Sequence, residues 1–314
     1  MVFSTPAAPW GHALMANISV LILTFNEHMH MERCIRSAQQ FAKKVFVVDS
    51  GSDDGTAEMA SSLGAHVVQH AWENHHARQV NWSLDHLPIE TDWVFRMDAD
   101  EFVTPELARE LNERLDTLPN DVTGVVLRRR LYAFGKHLRW GGQDRIHLLR
   151  IWRHGQARCE ERWMDEHMLL AKGHSVMFRH DFADDNQKPL SWWITKHAGY
   201  AVREAADTLL AQRADKTGEA DALRTGGGSR RKRWLKRFVY GGVPRFVRPT
   251  LYFGYRYVVL LGFLDGVPGL LWHVLQGFWY RFLVDSILFD VERRAAAEGV
   301  TPLTVLERSY GMKL

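Results

Sequence analysis

The chain has 314 residues and a net charge of +3; 46% of its residues are hydrophobic and 25% charged, enough to bury at least one full core and perhaps an appendage. Its two cysteines, Cys34 and Cys159, lie far apart, which excludes a disulfide framework and a metal-type cysteine spacing and fits a reducing compartment. No basic n-region precedes a long apolar stretch at the N-terminus, so no signal peptide is expected, and no run reaches the ~18 uncharged apolar residues of a spanning helix.

Along the chain, two periods alternate over the first ~120 residues. Ile18–Leu23 reads as a strand ending in Thr24-Phe25-Asn26-Glu27, and a helical pattern then runs to about Phe41. Val45–Val48 is a second strand, followed by DSGSDDGT and a helix from about Asp53 to Leu63. Ala65–Val68 is a third strand, and Asn74–Leu87 a third helix with Ala77, Val80, Leu84 and Leu87 at helical spacing. Asp92–Met97 is a fourth strand, running into Asp98-Ala99-Asp100-Glu101. Strands alternating with helices predict a parallel sheet covered on both faces. In such sheets ligands bind beyond the carboxyl ends of the strands, where TFNE, DSGSDDGT and DADE all fall.

Further strands are predicted at Val122–Leu131 and Ile146–Trp152, and a helix at about Leu190–Arg213. Thr225-Gly226-Gly227-Gly228-Ser229 marks a domain boundary near residue 225, between a catalytic domain (1–225) and a tail (226–314). From Ala222 to Leu264 stand ten basic residues and no acidic one, which leaves the rest of the chain at −7. Such a block attracts something anionic. Because its basic residues are interleaved with Trp, Tyr and Phe and followed by short apolar runs split by Asp265, the tail is expected to lie on an anionic membrane surface. The weaker alternative is packing on the catalytic domain or in an oligomer. Nucleic-acid binding is set aside, since no recognised module accompanies the charge.

Three carboxylates within four residues repel one another unless something cationic joins them. Asp98 and Asp100, two apart and facing one way, suit Mg²⁺ or Mn²⁺, which keep other positions for water and phosphate. A turn and a helix N-cap account for Asp53 or Asp54, but not for Asp49, which at a strand end can accept from a nucleobase or ribose. There is no GxGxxG fingerprint and no Walker loop.

Residues 17–120, with TFNE, VVDSGSDDGT and WVFRMDADE in that order, resemble the family 2 glycosyltransferases of GT-A fold. The resemblance implies a nucleotide-binding half (17–120) and an acceptor half (121–225), built on a Rossmann-like mixed sheet with helices on both faces. It also implies an inverting, metal-dependent transferase using a nucleotide-diphosphate sugar, usually UDP-linked. Carried over by position, Thr24, Asn26, Glu27 and Asp49 line the nucleotide pocket, Asp98 lies beside ribose or metal, and Asp100 holds the metal. Arg78 stands in for a basic residue that such proteins often place directly before the Asn of the third helix, where this chain has Val80.

Downstream, Glu160–His167 (EERWMDEH) is similar to a segment of lipopolysaccharide-core and capsule glycosyltransferases. Asp165 and Glu166 are the candidate bases for the acceptor hydroxyl; on a strand they face opposite ways, so only one serves, with Asp165 favoured. His167, facing with Asp165, is either a third metal ligand or a surface histidine. Arg145, Arg150 and Arg153 either contact phosphates or are solvated. The expected activity is transfer from a UDP-sugar to a lipid-linked saccharide at the cytoplasmic face of a bacterial inner membrane. A metal-dependent nucleotidyltransferase and a non-catalytic, membrane-docked nucleotide-sugar sensor are the alternatives.

Overall fold

The structure, a computed structural model, describes residues 15–73, 75–161, 167–217 and 243–312. Four parallel strands form one half of the sheet: β1 (Ile18–Thr24), β2 (Lys44–Asp49), β3 (His66–Gln69) and β4 (Trp93–Asp98), in the order β3-β2-β1-β4. Helices α1 (His28–Ala38), α2 (Thr56–Ser62) and α3 (His76–His86) join them, where the periodicity predicts.

Beyond β4 the sheet is mixed. It continues through β8 (His147–Arg153), β6 (Val122–Ala133), β11 (His174–Asp185) and β5 (Glu101–Val103). β8 runs antiparallel to both β4 and β6, while β11 runs parallel to β6. The short β7 (Lys136–His137) pairs with β6, and β9 (Ala157–Cys159) with β10 (Met168–Leu170) in a separate ladder. This is the expected GT-A arrangement.

The period of two in the strands builds a core on each face. Ile18, Val20 and Ile22 of β1 and Trp93, Phe95 and Met97 of β4 face α1, α2 and α4 (Pro105–Arg114). Leu21 and Val94 point the other way, to α3 and the β9–β10 ladder. Cys34 and Cys159 lie in these opposite cores, so no disulfide joins them.

Helix α5 is described over Leu190–Thr217, and the expected boundary near residue 225 lies outside the described residues. It packs against the helices of the C-terminal part. Ala201, Ala205, Ala206 and Leu209 share a third core with Tyr280, Val284, Ile287 and Leu288 of α8 (Tyr280–Glu298) and with Val305 and Leu306 of α9 (Pro302–Tyr310). Between them run α6 (Val247–Gly254) and α7 (Gly266–Trp272), with wider π turns at Tyr255–Val259 and His273–Trp279.

Candidate active site

At the carboxyl edge of β1 and β2, the TFNE and DSGSDDGT loops are tied together. Asn26, at a φ of 54° that asparagine tolerates better than most residues, donates from its amide to Ser52 Oγ (2.8 Å). Its side chain exchanges hydrogen bonds with Asp53, Nδ2 to Oδ1 at 2.8 Å and the Asp53 amide to Oδ1 at 3.0 Å. The Glu27 amide donates to Thr56 Oγ1 (2.9 Å) and the His28 amide to Asp54 Oδ2 (3.2 Å).

Asp49 is fully buried, and its carboxylate accepts from the amides of Gly51 (3.1 Å) and Ser52 (2.9 Å) and from the Ser52 hydroxyl. The turn therefore does account for Asp49, contrary to the sequence expectation: a carboxylate at a strand end is also the natural cap for the turn it opens. Thr24 Oγ1, by contrast, is buried at the end of β1 with no hydrogen-bond partner. A buried hydroxyl left in that state costs free energy unless a ligand satisfies it.

Glu27 sits behind this edge, where it accepts from His30 Nδ1 and Lys188 Nζ, both at 2.7 Å. The Gln187 amide donates to His30 Nε2 (2.9 Å), which leaves Nδ1 as the donor to Glu27. Burial opposes ionisation of Glu27, but His30 and Lys188 outweigh it and hold the carboxyl below its usual range. Glu27 thus braces the loop rather than lining open space.

The acidic turn after β4 divides its labour. Glu101 is buried, bonded to Arg150 and accepting from the Asp98 amide (3.0 Å). Asp98, with 37% of its side chain exposed, accepts from Arg96 (3.1 Å) and Arg150 (3.4 Å). Burial works against its charge, yet Arg96 and Arg150 prevail and keep it well below the ordinary carboxylate range. Arg150 therefore meets neither expectation, phosphate contact or solvation; it is the buried counter-ion of the turn.

Asp100 Oδ2 accepts from Asn186 Nδ2 (2.8 Å), and the Asp100 carbonyl accepts from the Asp185 amide (3.1 Å). The end of β11, Asp184-Asp185-Asn186-Gln187-Lys188, thus reaches the same edge. Arg33 of α1 fixes it, donating to Asp185 Oδ2 (2.5 Å) and to the Asp185 carbonyl (2.7 Å). Burial, then the neighbouring Asp100 charge, pushes the Asp184 carboxyl up to about 6. Two ammonium groups follow, Lys188 and Lys196, lying 4.2 and 4.6 Å from the centre of the Trp192 ring. Sequence reading passed over this acidic-to-basic run, although acids at a strand end, the pattern that marked DADE, were visible in it too.

Other expected residues are not gathered here. Arg78 is exposed in the first turn of α3. Arg153 lies at the opposite edge, stacked 4.4 Å over Trp93 and donating to the Val122 carbonyl (3.0 Å), while Arg145 is exposed on a short turn before β8. His167 is exposed where the β9–β10 ladder begins, and among the described residues no three His, Cys, Asp or Glu side chains converge to hold an ion. His167 is therefore not joined to Asp98 and Asp100 as a third ligand. Asp165 and Glu166 lie outside the described residues. Of the described residues that flank them, the Glu160 amide donates to the His167 carbonyl (2.9 Å), and Asn81 of α3 grips Cys159 at both its amide and carbonyl (2.9 and 3.0 Å).

Mg²⁺ or Mn²⁺ needs only one or two protein carboxylates, with phosphate and water completing the octahedron. Asp100 and Asp98 offer hard oxygens at this edge. The donor chemistry therefore fits such an ion without a ready-made cage.

The family model described as glycosyl transferase family 2 matches residues 19–186. An uncharacterized glycosyltransferase of Rickettsia bellii (strain RML369-C) is 38% identical over 103 residues, 33% of this chain and 33% of that one. The lipopolysaccharide core biosynthesis glycosyltransferase LpsC of Rhizobium meliloti (strain 1021) is 30% identical over 148 residues, 46% of this chain and 53% of that one. The match thus spans about a third to a half of the length of these curated relatives. Among solved structures, glucosyl-3-phosphoglycerate synthase from Mycobacterium tuberculosis, in complex with Mn²⁺, UDP and glucosyl-3-phosphoglycerate, is 22% identical over 41% of this chain and 51% of that one, at a TM-score of 0.32.

Proposed function

Because the chain belongs to glycosyl transferase family 2, we propose that it moves a sugar, with inversion, from a UDP-sugar to a lipid-linked saccharide in bacterial cell-surface polysaccharide assembly. We place it on the cytoplasmic face of the inner membrane. The observation that carries the donor half is the meeting of three loops at one sheet edge: the buried, unpartnered Thr24 hydroxyl, the turn closed by Asp49, and the Asp98–Asp100 turn. The likeness to LpsC supports the acceptor class.

In this reading Thr24 and Asn26 bind the nucleotide, and Glu27 and Asp49 fix the loops around it. Asp100 and Asp98 would hold Mn²⁺ or Mg²⁺, with phosphate and water completing its shell. That ion supplies Lewis-acid neutralisation of the diphosphate leaving group. Arg150 and Arg96 keep Asp98 ionised, so that it is ready to bind at neutral pH. Lys188 and Lys196 set positive charge on the other side of the crevice. Asp165 or Glu166 takes the proton from the acceptor hydroxyl as its oxygen attacks the anomeric carbon from the face opposite the diphosphate.

Purified full-length protein incubated with a panel of nucleotide sugars and Mn²⁺ tests the donor half. UDP-sugars alone should be turned over, and EDTA should stop the reaction. No turnover of any nucleotide sugar, or undiminished turnover in EDTA, contradicts the reading.

A further inference from the structure

The helices after residue 243 hold an arrangement that the donor site does not use. Val247–Val259 and Gly262–Glu298 are two helical arms bent by 69° at Leu260-Leu261. Around the bend, large apolar side chains face outward: Leu251 is 57% exposed, Val258 59%, Val259 65%, Phe263 44%, Leu264 48% and Val267 67%. From Tyr257 to Leu264 there is no charged residue. A contiguous apolar surface of this kind marks a contact.

The charges that flank the bend are turned into the protein. Asp265 is 2% exposed; its carboxylate accepts from the amides of Arg139 (3.2 Å) and Trp140 (2.9 Å), and its carbonyl from Lys136 Nζ (2.8 Å). Arg256 donates to the Gly141 carbonyl (2.6 Å) and to the Tyr252 hydroxyl (2.8 Å). The Gly141 amide closes the contact on the Leu260 carbonyl (2.8 Å). Gly141 itself has a φ of 68°, and a Cβ there would stand 2.2 Å from the His273 ring, so only glycine admits this approach. His273 is buried, and burial holds its pKa down at about 4, so it adds no charge. Polar groups inside and apolar groups outside is the reverse of a water-facing hairpin.

We infer that this hairpin is a re-entrant membrane wedge: its bend enters the outer part of one lipid leaflet and returns, and it seats the 136–143 loop at the membrane surface. Two observations fix the depth. The far ends of the arms are joined, Arg245 to Glu292 (2.5 Å) and Arg248 to Asp285, so both arms start from the protein side. The bend is itself held to the protein, Leu260 by the Gly141 amide and Asp265 by the Arg139 and Trp140 amides, so it enters only as far as its outward apolar side chains reach and does not cross. No single described helix is long and apolar enough to cross. The occupant follows from charge. Ala222–Leu264, the sequence that leads into and through the bend, carries ten basic residues and no acidic one, so a second copy brings the same excess of positive charge, whereas an anionic leaflet brings the opposite.

The inference rests on the proposed function only for the lipid-linked acceptor, and its test reads binding rather than transfer. Full-length Val259→Cys is labelled with an environment-sensitive fluorophore; the natural thiols, Cys34 and Cys159, are buried at 0% and 4% exposure. With vesicles of phosphatidylcholine and phosphatidylglycerol, the label should shift to the blue, be quenched by bromine on the acyl chains and be shielded from aqueous iodide. A label at Ser309→Cys should stay in water. Replacing Val258 and Val259 together by Asp should weaken vesicle binding by roughly a hundredfold at high salt, with UDP binding unchanged. A Val259 label that stays open to iodide on vesicle-bound protein overturns the wedge. So does a blue shift without vesicles that grows with protein concentration, which would make a second copy the occupant. Loss of UDP binding in the unmodified protein would instead count against the donor site and leave the wedge standing.

Discussion

The strand-end crevice and the C-terminal hairpin treat polar groups in different ways. At the crevice, carboxylates and cations converge on one edge and neutralise one another there (Arg96, Arg150, Arg33 and Arg129), while the buried Thr24 hydroxyl is left without a partner. At the hairpin Asp265 and Arg256, the charges on either side of the bend, are satisfied inside and the outer face is apolar. A buried hydroxyl without a partner points to a polar ligand; charge turned inward beneath an apolar face points to lipid. In the proposed reading, one chain holds a nucleotide on one surface and a leaflet on another without either set of groups competing for the other's partner.

The sharpest way to break this comparison is at the chemistry. Removing the proton acceptor from a transferase costs roughly 10²–10⁴-fold in rate. Asp165→Asn should therefore show near-normal UDP binding and very slow turnover, with vesicle binding untouched; if Glu166→Gln is the slow variant instead, the role moves by one residue. Next in size is the basic run before the hairpin, which lies outside the described residues. Changing Arg230, Arg231, Lys232 and Arg233 to Gln should remove on the order of 1 kcal/mol each of binding to anionic vesicles at low salt. Little should change at high salt, where only the apolar wedge still acts. Co-sedimentation at two ionic strengths measures both shares.

Asp265→Ala sharpens the comparison from the hairpin side. It leaves the buried amides of Arg139 and Trp140 without an acceptor, a cost of roughly 1.5–3 kcal/mol. Thermal unfolding should register the loss, while UDP affinity should hold because the crevice lies on other loops. The smallest expected effect is a pH slope. Asp184 is raised to about 6, against ~3.9 for an unfolded Asp, so the folded chain holds an extra proton between those values. Its contribution to stability is present below ~pH 4 and is lost as pH rises through about 6. In metal-free buffer Asp184→Asn should flatten that part of the stability curve, and Mn²⁺ should steepen binding above about pH 6 in the unchanged chain. An identical curve for the variant would show that Asp184 does not titrate there.

How much of this was legible in the sequence follows the range of each interaction. The period-two strands from Ile18 to Met97 and the loops at their ends are local patterns, and each lies within two or three residues of its predicted place. Roles that depend on distant partners were not legible. Arg150 read as a solvated or phosphate-contacting residue because Glu101 and Asp98 are ~50 positions away in sequence and adjacent only across the sheet. Asp265 read as an interruption between membrane-surface helices, since nothing local shows the amides of Arg139 and Trp140 that claim it. Asp184–Lys188 was passed over because β11 reaches the site from the far half of a sheet whose strand order is not the chain order. Asp49 went the other way: position at a strand end suggested a ligand contact, and its own turn took the carboxylate first.

The central claim is that the edge holding Asp98 and Asp100 is a cation-assisted nucleotide site, and calorimetric titration of UDP tests it without needing the acceptor. The full chain should bind UDP in Mn²⁺, and EDTA or Asp100→Ala should each weaken that binding by roughly tenfold or more, as loss of a charge-assisted contact implies. Equal UDP affinity in Mn²⁺, in EDTA and in Asp100→Ala would contradict it.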